Sequence, residues 1–590
     1  MVKPTANKPR IPDPAWNIQV NFCKNPTCPN FGVAASQQNQ PRGPGAQNRG
    51  RDPYTVIGCR GADSIMMKCS GCGEYPTIKS NLAIYEELMR MSNYLSDNPP
   101  ITCPNISCPN HNVDISIPKH YYSFGRTNSG SQRYRCRLCN KTFAVGRATT
   151  GQKKPHKNAL VFRLLMNKMP FKRICETAGI NMDTLYWKID FLHKQCLAFA
   201  ADRERKLLSD MPIKRLYVGV DRQTYMINWA RAVDKRNVIL HAVETADNET
   251  GYVFGLHLNF DPTLDSSEVE MDAEAFGDYT VKVPFRRYAR VWLSNDYYEA
   301  LKRNIRDRNR ETYGTLPEEI VQTYDAALER EDIEVFEGKD LTTRLPAKGM
   351  QVHAEYTLYG HFFFLKQLFG GVEKIRFFLD QDSGMRAACF GAFADEIKEH
   401  RCDAFYVRIN NDLTINEKRQ MMAAVKKQWK VQKTLYPSLS DSKLKLLLIK
   451  EHMAQVMYFG KWQDKWLYHP FPNMGEPEKA LCYLTDVHGY DEDHKAWLYN
   501  KASLHAIDRF FMQVRRRLSL LERPVATSSS SGRKWHGYAA YNPAMIIKLL
   551  DIFRTFYNFV EIGKDKETPA MRLGLAKGKV SMDDIVGYIP

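Results

Sequence analysis

The chain has 590 residues, 43% of them hydrophobic, and a formal net charge of +18. That length provides for several buried cores and three to five domains. Its longest apolar stretch, near Tyr359 to Gly371, is too short and interrupted to cross a bilayer, so no membrane partner is expected.

The charge is unevenly placed. Residues 1–200 hold 27 Lys and Arg against 11 Asp and Glu, whereas the remaining residues hold 57 against 55. A basic arm on a near-neutral body is the electrostatic footprint of phosphate-backbone binding, which makes double-stranded DNA the expected partner. The first fourteen residues are polar and proline-rich, with no apolar signal core. Of the 14 cysteines, eight fall in two quartets and six are scattered, a usage that fits a reducing compartment rather than a disulfide scaffold. A soluble, cytoplasmic, nucleoid-associated protein is the expectation.

The quartets are Cys23, Cys28, Cys69 and Cys72, then Cys103, Cys108, Cys136 and Cys139. In each, a C-x4-C pair is followed by a C-x2-C pair, and the flanking Cys-Pro-Asn recurs at Cys28 and Cys108. Four thiolates from two close pairs are what a structural zinc ion takes, so two zinc ribbons and about two zinc ions are expected. Residues 33–52 read as a polar insertion in the first ribbon, and Cys59 and His111 stand as spare ligands. Ser80 to Leu95 has helical apolar spacing and ends before Asn98-Pro-Pro100.

Three helical segments follow: Asn158 to Lys168, Phe171 to Ala178 closed by Gly179, and Asp183 to Ala198. A short helix, a glycine turn and a longer helix predict a helix-turn-helix, with Lys172, Arg173, Thr184, Lys188 and Lys194 as outward DNA-binding candidates. From Lys214 the period changes. Arg215–Asp221, Asn237–Val243 and Tyr252–Leu258 predict an antiparallel meander. Lys374–Asp380, a helix over 383–400 and Asp403–Ile409 predict a parallel crossover. A long helix over 503–521 closes the pattern before the serine run at 527–532.

That order of elements resembles an RNase H-like fold, with one acid at each expected place: Asp221 on the first strand, Asp380 at the end of the fourth, Asp508 on the late helix. His505-Ala-Ile-Asp508-Arg-Phe-Phe-Met-Gln-Val-Arg515 resembles the acid-x6-Lys/Arg signature of DDE transposases, and seven residues set Asp508 and Arg515 on one helix face. The layout is similar to bacterial insertion-sequence transposases that begin with a zinc ribbon and a helix-turn-helix, although the third acid is Asp rather than Glu. The resemblance implies a DDD site holding two catalytic Mg²⁺ ions, DNA contacts from Arg515, Arg516 and Arg517, and a homodimer or higher assembly on paired transposon ends. It implies Mg²⁺-dependent strand cleavage and transfer, since hard cations take carboxylate ligands and support in-line displacement at phosphorus.

The expected fold is therefore a multidomain α/β chain with a mixed-sheet catalytic core and helical insertions. Its expected parts are a first ribbon with helix (1–98), a second ribbon (99–150) and the helix-turn-helix (151–210). The core runs over 211–262, 371–412 and 500–590, with insertions over 263–370 and 413–499. Asp382 and Glu522 are rival acids, and Trp462 and Trp466 read as a helical pair that either packs in a core or stacks on a base. A non-catalytic zinc-ribbon DNA-binding regulator and a nuclease without joining activity are the alternatives.

Overall fold

The computed structural model describes the chain except residues 1–8, 38–51, 59–64, 97–100, 116, 118, 128–130, 147, 210, 229–236, 299–314, 330–345, 347, 411–412, 461, 523–524, 527–533, 536–539 and 590. Cys59, the 527–532 run and much of the 33–52 insertion lie outside the described residues. No described helix is long and apolar enough to cross a membrane. The chain divides into two compact units. One comprises residues 1–91, 210–513 and 539–547; the other comprises 92–209, 514–538 and 548–590.

In the first unit, strands β1 (Tyr54–Gly58) and β2 (Ile65–Cys69) form the antiparallel hairpin of the first cysteine quartet. The helix Asn81–Ser92 follows. In the second unit, β3 (Tyr121–Arg126), β4 (Gln132–Cys136) and β5 (Thr142–Val145) make a three-stranded antiparallel sheet around the second quartet. The second unit also holds the helices Asn158–Leu165, Phe171–Ala178 and Met182–Ser209. Gly179 closes the middle one with φ +58°, a left-handed cap that a glycine adopts without a Cβ clash. The third helix runs eleven residues beyond the expected Ala198, because Phe199, Ala200, Ala201 and Leu207 continue its buried stripe.

The first unit is built on an eight-stranded mixed sheet. Its strands are β6 (Ile213–Asn228), β7 (Asn237–Asp247), β8 (Val253–Leu258), β11 (Val372–Asp380), β12 (Cys402–Ile409), β13 (Met457–Phe459), β14 (Asp464–Tyr468) and β15 (Lys479–Tyr483). The two-residue strands β9 (Phe260–Asp261) and β10 (Met350–Gln351) pair separately. The sheet order is β13-β14-β15-β12-β11-β6-β7-β8. β6, β7 and β8 form the expected antiparallel meander, and β11 lies parallel to both β6 and β12. The crossover from β11 to β12 uses two helices, Ser383–Ala392 and Ala394–Lys398, rather than one.

Two expectations are corrected here. β6 does not stop at Asp221: it runs seven residues further, paired residue by residue with β7. The segment 413–499 is not wholly helical. It carries β13, β14 and β15, which extend the sheet antiparallel beyond β12. The fully apolar run Ala480–Leu481–Cys482 is the pattern of a buried strand.

Candidate metal centres and acid site

Each quartet closes on itself. The four ligand sulfurs in each lie within 4.8 Å of one another. Cys23 and Cys72 Sγ are 3.4 Å apart and Cys28 and Cys69 are 3.7 Å apart; Cys103–Cys139 and Cys108–Cys136 measure 3.4 and 3.8 Å. A tetrahedron with Zn–S bonds of about 2.3 Å has edges of about 3.8 Å, so both sets fit a zinc ion.

The duplication goes deeper than the cysteines. Asn30 Nδ2 donates to Cys69 Sγ at 3.3 Å, and Asn110 Nδ2 donates to Cys136 Sγ at 3.2 Å. Burial works against ionising either thiol, yet N–H donors outweigh it. Asn30, Cys72 and Gly71 hold Cys69 below the usual thiol value, and Cys139, Asn110 and Leu138 pull Cys136 down to about 6. Tyr54 Oη accepts the Cys23 N–H and donates toward the Asn30 and Val33 carbonyls; Tyr121 Oη does the same for Cys103, Asn110 and Val113. These tyrosines are part of the repeat: each sits 15 residues before the third cysteine of its quartet, a recurrence present in the sequence but not among the ligands it singles out. His111 Nδ1 lies 2.7 Å from the Cys103 carbonyl, a backbone contact beside the quartet.

The three acids gather at the carboxyl edge of the parallel strands, in the middle of the large sheet. Leu379 pairs with Val220, which sets Asp380 beside Asp221 on neighbouring parallel strands. The helix His505–Arg517 lies on the same face: a Cβ on Gly219 would meet Leu504 and Ile507 side chains at 3.6 Å. Asp508 follows one residue later. The Asp221 carboxyl is pushed well above the usual range by burial, then by the charges of Asp380 and Asp508, with the Arg222 N–H and guanidinium pulling the other way. Asp380 is raised by burial, and Arg408 is the largest opposing influence. The three carboxylates are more open than the thiolate quartets, which are the clusters of three or more ligand atoms within 4.8 Å found among the described residues. Mutually repelling acids at that carboxyl edge are a donor set that suits hard divalent cations.

The rival acids have other duties. Asp382 caps the helix Ser383–Ala392 through the Met385 N–H at 3.0 Å and pairs with Arg222. Glu522 pairs with Lys168. His505 takes a hydrogen bond with Ser503 Oγ at 2.9 Å. Trp466 is not helical; it lies on β14, fully buried, stacked at 12° on Tyr406 and donating to Tyr324 Oη at 3.2 Å. Trp462 lines a cavity of about 480 Å³ with Tyr324, Tyr406, Arg222, Gln381 and Arg386.

The DNA-binding candidates separate. Lys172, Arg173 and Lys194 are exposed, and Thr184 is half-buried. Lys188 is corrected: it is 2% exposed, and its Nζ donates to the Lys153 and Lys154 carbonyls and to Asn158 Oδ1 at 2.5 Å. Its long stem follows Leu185, Ile189 and Leu192 into the three-helix core, and its head caps a loop there. Trp187, by contrast, is 77% exposed. Arg516 is exposed and Arg515 half-buried. Arg517 is committed to its own unit through an ion pair with Glu561, a stack over Phe556 and a carbonyl that accepts the Lys168 N–H at 2.8 Å. Neither a comparison with models of known protein families nor one with curated proteins finds a match for this chain.

Proposed function

We propose that the chain is a DNA transposase with an RNase H-like core, cutting and joining strands at Asp221, Asp380 and Asp508. The observation that carries this reading is the convergence of acids from β6, β11 and the late helix, close enough that two of them press on the charge of the third. The strand order supports it: three antiparallel strands, then β11 and β12 parallel to the first, with the acids at the carboxyl edge of β11. Asp221, Asp380 and Asp508 would together hold the metal, with Asp221 the acid on which the other two act. When bound, a Mg²⁺ pair would activate the attacking water or 3′-hydroxyl and stabilise the leaving oxygen of an in-line displacement. Arg222, which pairs with Asp382, and Arg408, which pairs with Glu319, are the cations that act on Asp221 and Asp380. DNA would be gripped by exposed cations of the ribbon and helix-turn-helix segments, and strand joining on paired ends would require at least two copies.

The test is a cleavage and strand-transfer assay with Mg²⁺ and duplexes carrying candidate ends. Asp221→Asn, Asp380→Asn and Asp508→Asn should each lower both reactions by about a thousandfold or more while duplex binding persists. Near-normal activity in any one of them removes that acid from the site, and nicking without joining would make the protein a nuclease.

A further inference from the structure

The helix Ile415–Leu435 stands out in the sheet-bearing unit: it is 21 residues long and has no buried residue. Tertiary burial normally supplies most of a helix's stability, and an isolated helix of this length is marginal in water. Two local devices hold this one. Thr414 and Glu417 form a reciprocal capping box, with the Thr414 N–H donating to Glu417 Oε2 at 2.7 Å. One face leans on the body through half-buried Met421, Met422, Val425 and Trp429, the last set edge-on to Phe471 at 5.6 Å.

The other side is cationic. The helix carries six Lys and Arg and a single acid, Glu417, which the cap consumes. Arg419, Lys426, Lys430 and Lys433 recur at intervals of seven, four and three, so they form one stripe along the helix, and all four are exposed. Like charges three and four residues apart on one helix face repel. The nearby counter-charge is slight: Lys433 reaches Asp441 at 2.8 Å in a solvent-exposed pair. A repelling stripe on a helix with no fully buried residue calls for an anionic partner from outside. The stripe runs from Arg419 to Lys433, a rise of about 21 Å, and a duplex offers one phosphate per about 3.4 Å on each strand. The helix also starts at the right place. It follows β12, whose Val407 is in register with Asp380, so it departs from the carboxyl edge that carries the acids.

We infer that this helix docks the phosphate backbone of duplex DNA, holding the segment that flanks the strand being cut. The inference rests on the transposase reading and gives a role to an insertion that the acids leave without one. Lysines serve as point charges here and read no base, so the contact is independent of sequence.

The experiment titrates the full-length, zinc-loaded protein with a fluorescent random-sequence duplex across about 50 to 200 mM salt. Replacing Lys426, Lys430 and Lys433 together by Gln should weaken binding at least about tenfold and flatten the salt slope by about two to three, one unit per lost phosphate contact. Replacement of the same three by Arg should keep the slope. Substituting three other exposed lysines (Lys564, Lys566, Lys577) by Gln should leave the slope nearly as it was. Unchanged slope and affinity in the Gln variant, with wild type still binding and cutting DNA, would overturn this inference alone. Wild type that neither binds nor cuts would overturn the transposase reading with it. Displacement of the duplex by RNA or by a polyglutamate at lower concentration than by competitor DNA would reassign the surface to that partner.

Discussion

The two ribbons have one chemistry and two uses. Sulfur spacing, the asparagine N–H to sulfur and the tyrosine that ties the knuckle together are the same in both. Their surroundings are not. The first ribbon is built into the sheet-bearing unit: Phe31 meets Phe390 edge-on at 6.0 Å, Arg386 pairs with Glu74, the Ser80 N–H donates to Tyr356 Oη, and Lys79 pairs with Glu355. Behind it Gly360 lets the helix Ala354–Leu368 approach Asn81–Ser92, since a Cβ there would sit 2.8 Å from the Glu87 Cβ. The second ribbon presents an open face within its unit. Arg133 and Arg135 lie over Phe124 and Arg137 over Tyr122, and strands β3, β4 and β5 carry no acid. Residues 99–150 hold seven Lys and Arg against one Asp, and Asp114 is occupied with the Ile101 N–H. A repeated metal site thus serves as a core staple in one copy and as the scaffold of a basic, aromatic surface in the other. Which of these a ribbon becomes is set by the residues outside its zinc shell.

The sharpest way to break this comparison is to remove one zinc ligand from each copy. Structural zinc sites couple about 10–16 kcal/mol of binding to folding. Cys69→Ser should therefore collapse the sheet-bearing unit, with loss of its cooperative melting transition. Cys136→Ser should lose one zinc and weaken DNA binding, yet keep that transition. Metal content and scanning calorimetry read both, and equal collapse in the two variants would mean that the copies share one role. A smaller effect separates the surfaces. Arg133→Ala with Arg135→Ala should weaken duplex binding about tenfold and lower the salt slope by about two, whereas Lys68→Ala, which removes an exposed cation from the first ribbon, should change neither.

The smallest expected effect has the opposite sign and lies in the same unit as the first ribbon. Burial and the neighbouring charges raise the Asp221 carboxyl in the folded state, so folding favours its protonated form. Its contribution to stability is therefore greatest at low pH and is lost as pH rises through the raised value. In chelator at neutral pH, Asp221→Asn should melt higher than wild type, with the gap closing as pH falls toward the ordinary carboxylate range. Added Mg²⁺ should stabilise wild type and not the variant. A variant that melts lower than wild type would show that Asp221 is a structural anchor and not a strained ligand.

The zinc quartets were legible because their ligand spacing is local: two pairs, each within one turn, declare a metal whatever surrounds them. The meander and the β11–β12 crossover were legible from period and turn residues. The rest depended on packing. Nothing in Lys188 distinguishes a lysine on a DNA-facing helix from one whose head caps a loop inside three helices. Trp466, read as helical, is on a strand because β15 pairs along β12 and β14 in turn pairs along β15.

Taken by itself, the amino-acid order determined which thiols and carboxylates are available and at what intervals, since metal preference and hydrogen-bond period follow from residue type and separation along the chain. Only the tertiary structure decided which copy of a duplicated ribbon is buried, which cations stay open to solvent, and that acids 159 and 128 residues apart in sequence come to the carboxyl edge of the parallel strands. The reason is physical: burial and charge coupling arise from every neighbour at once, and those neighbours are brought together by the sheet.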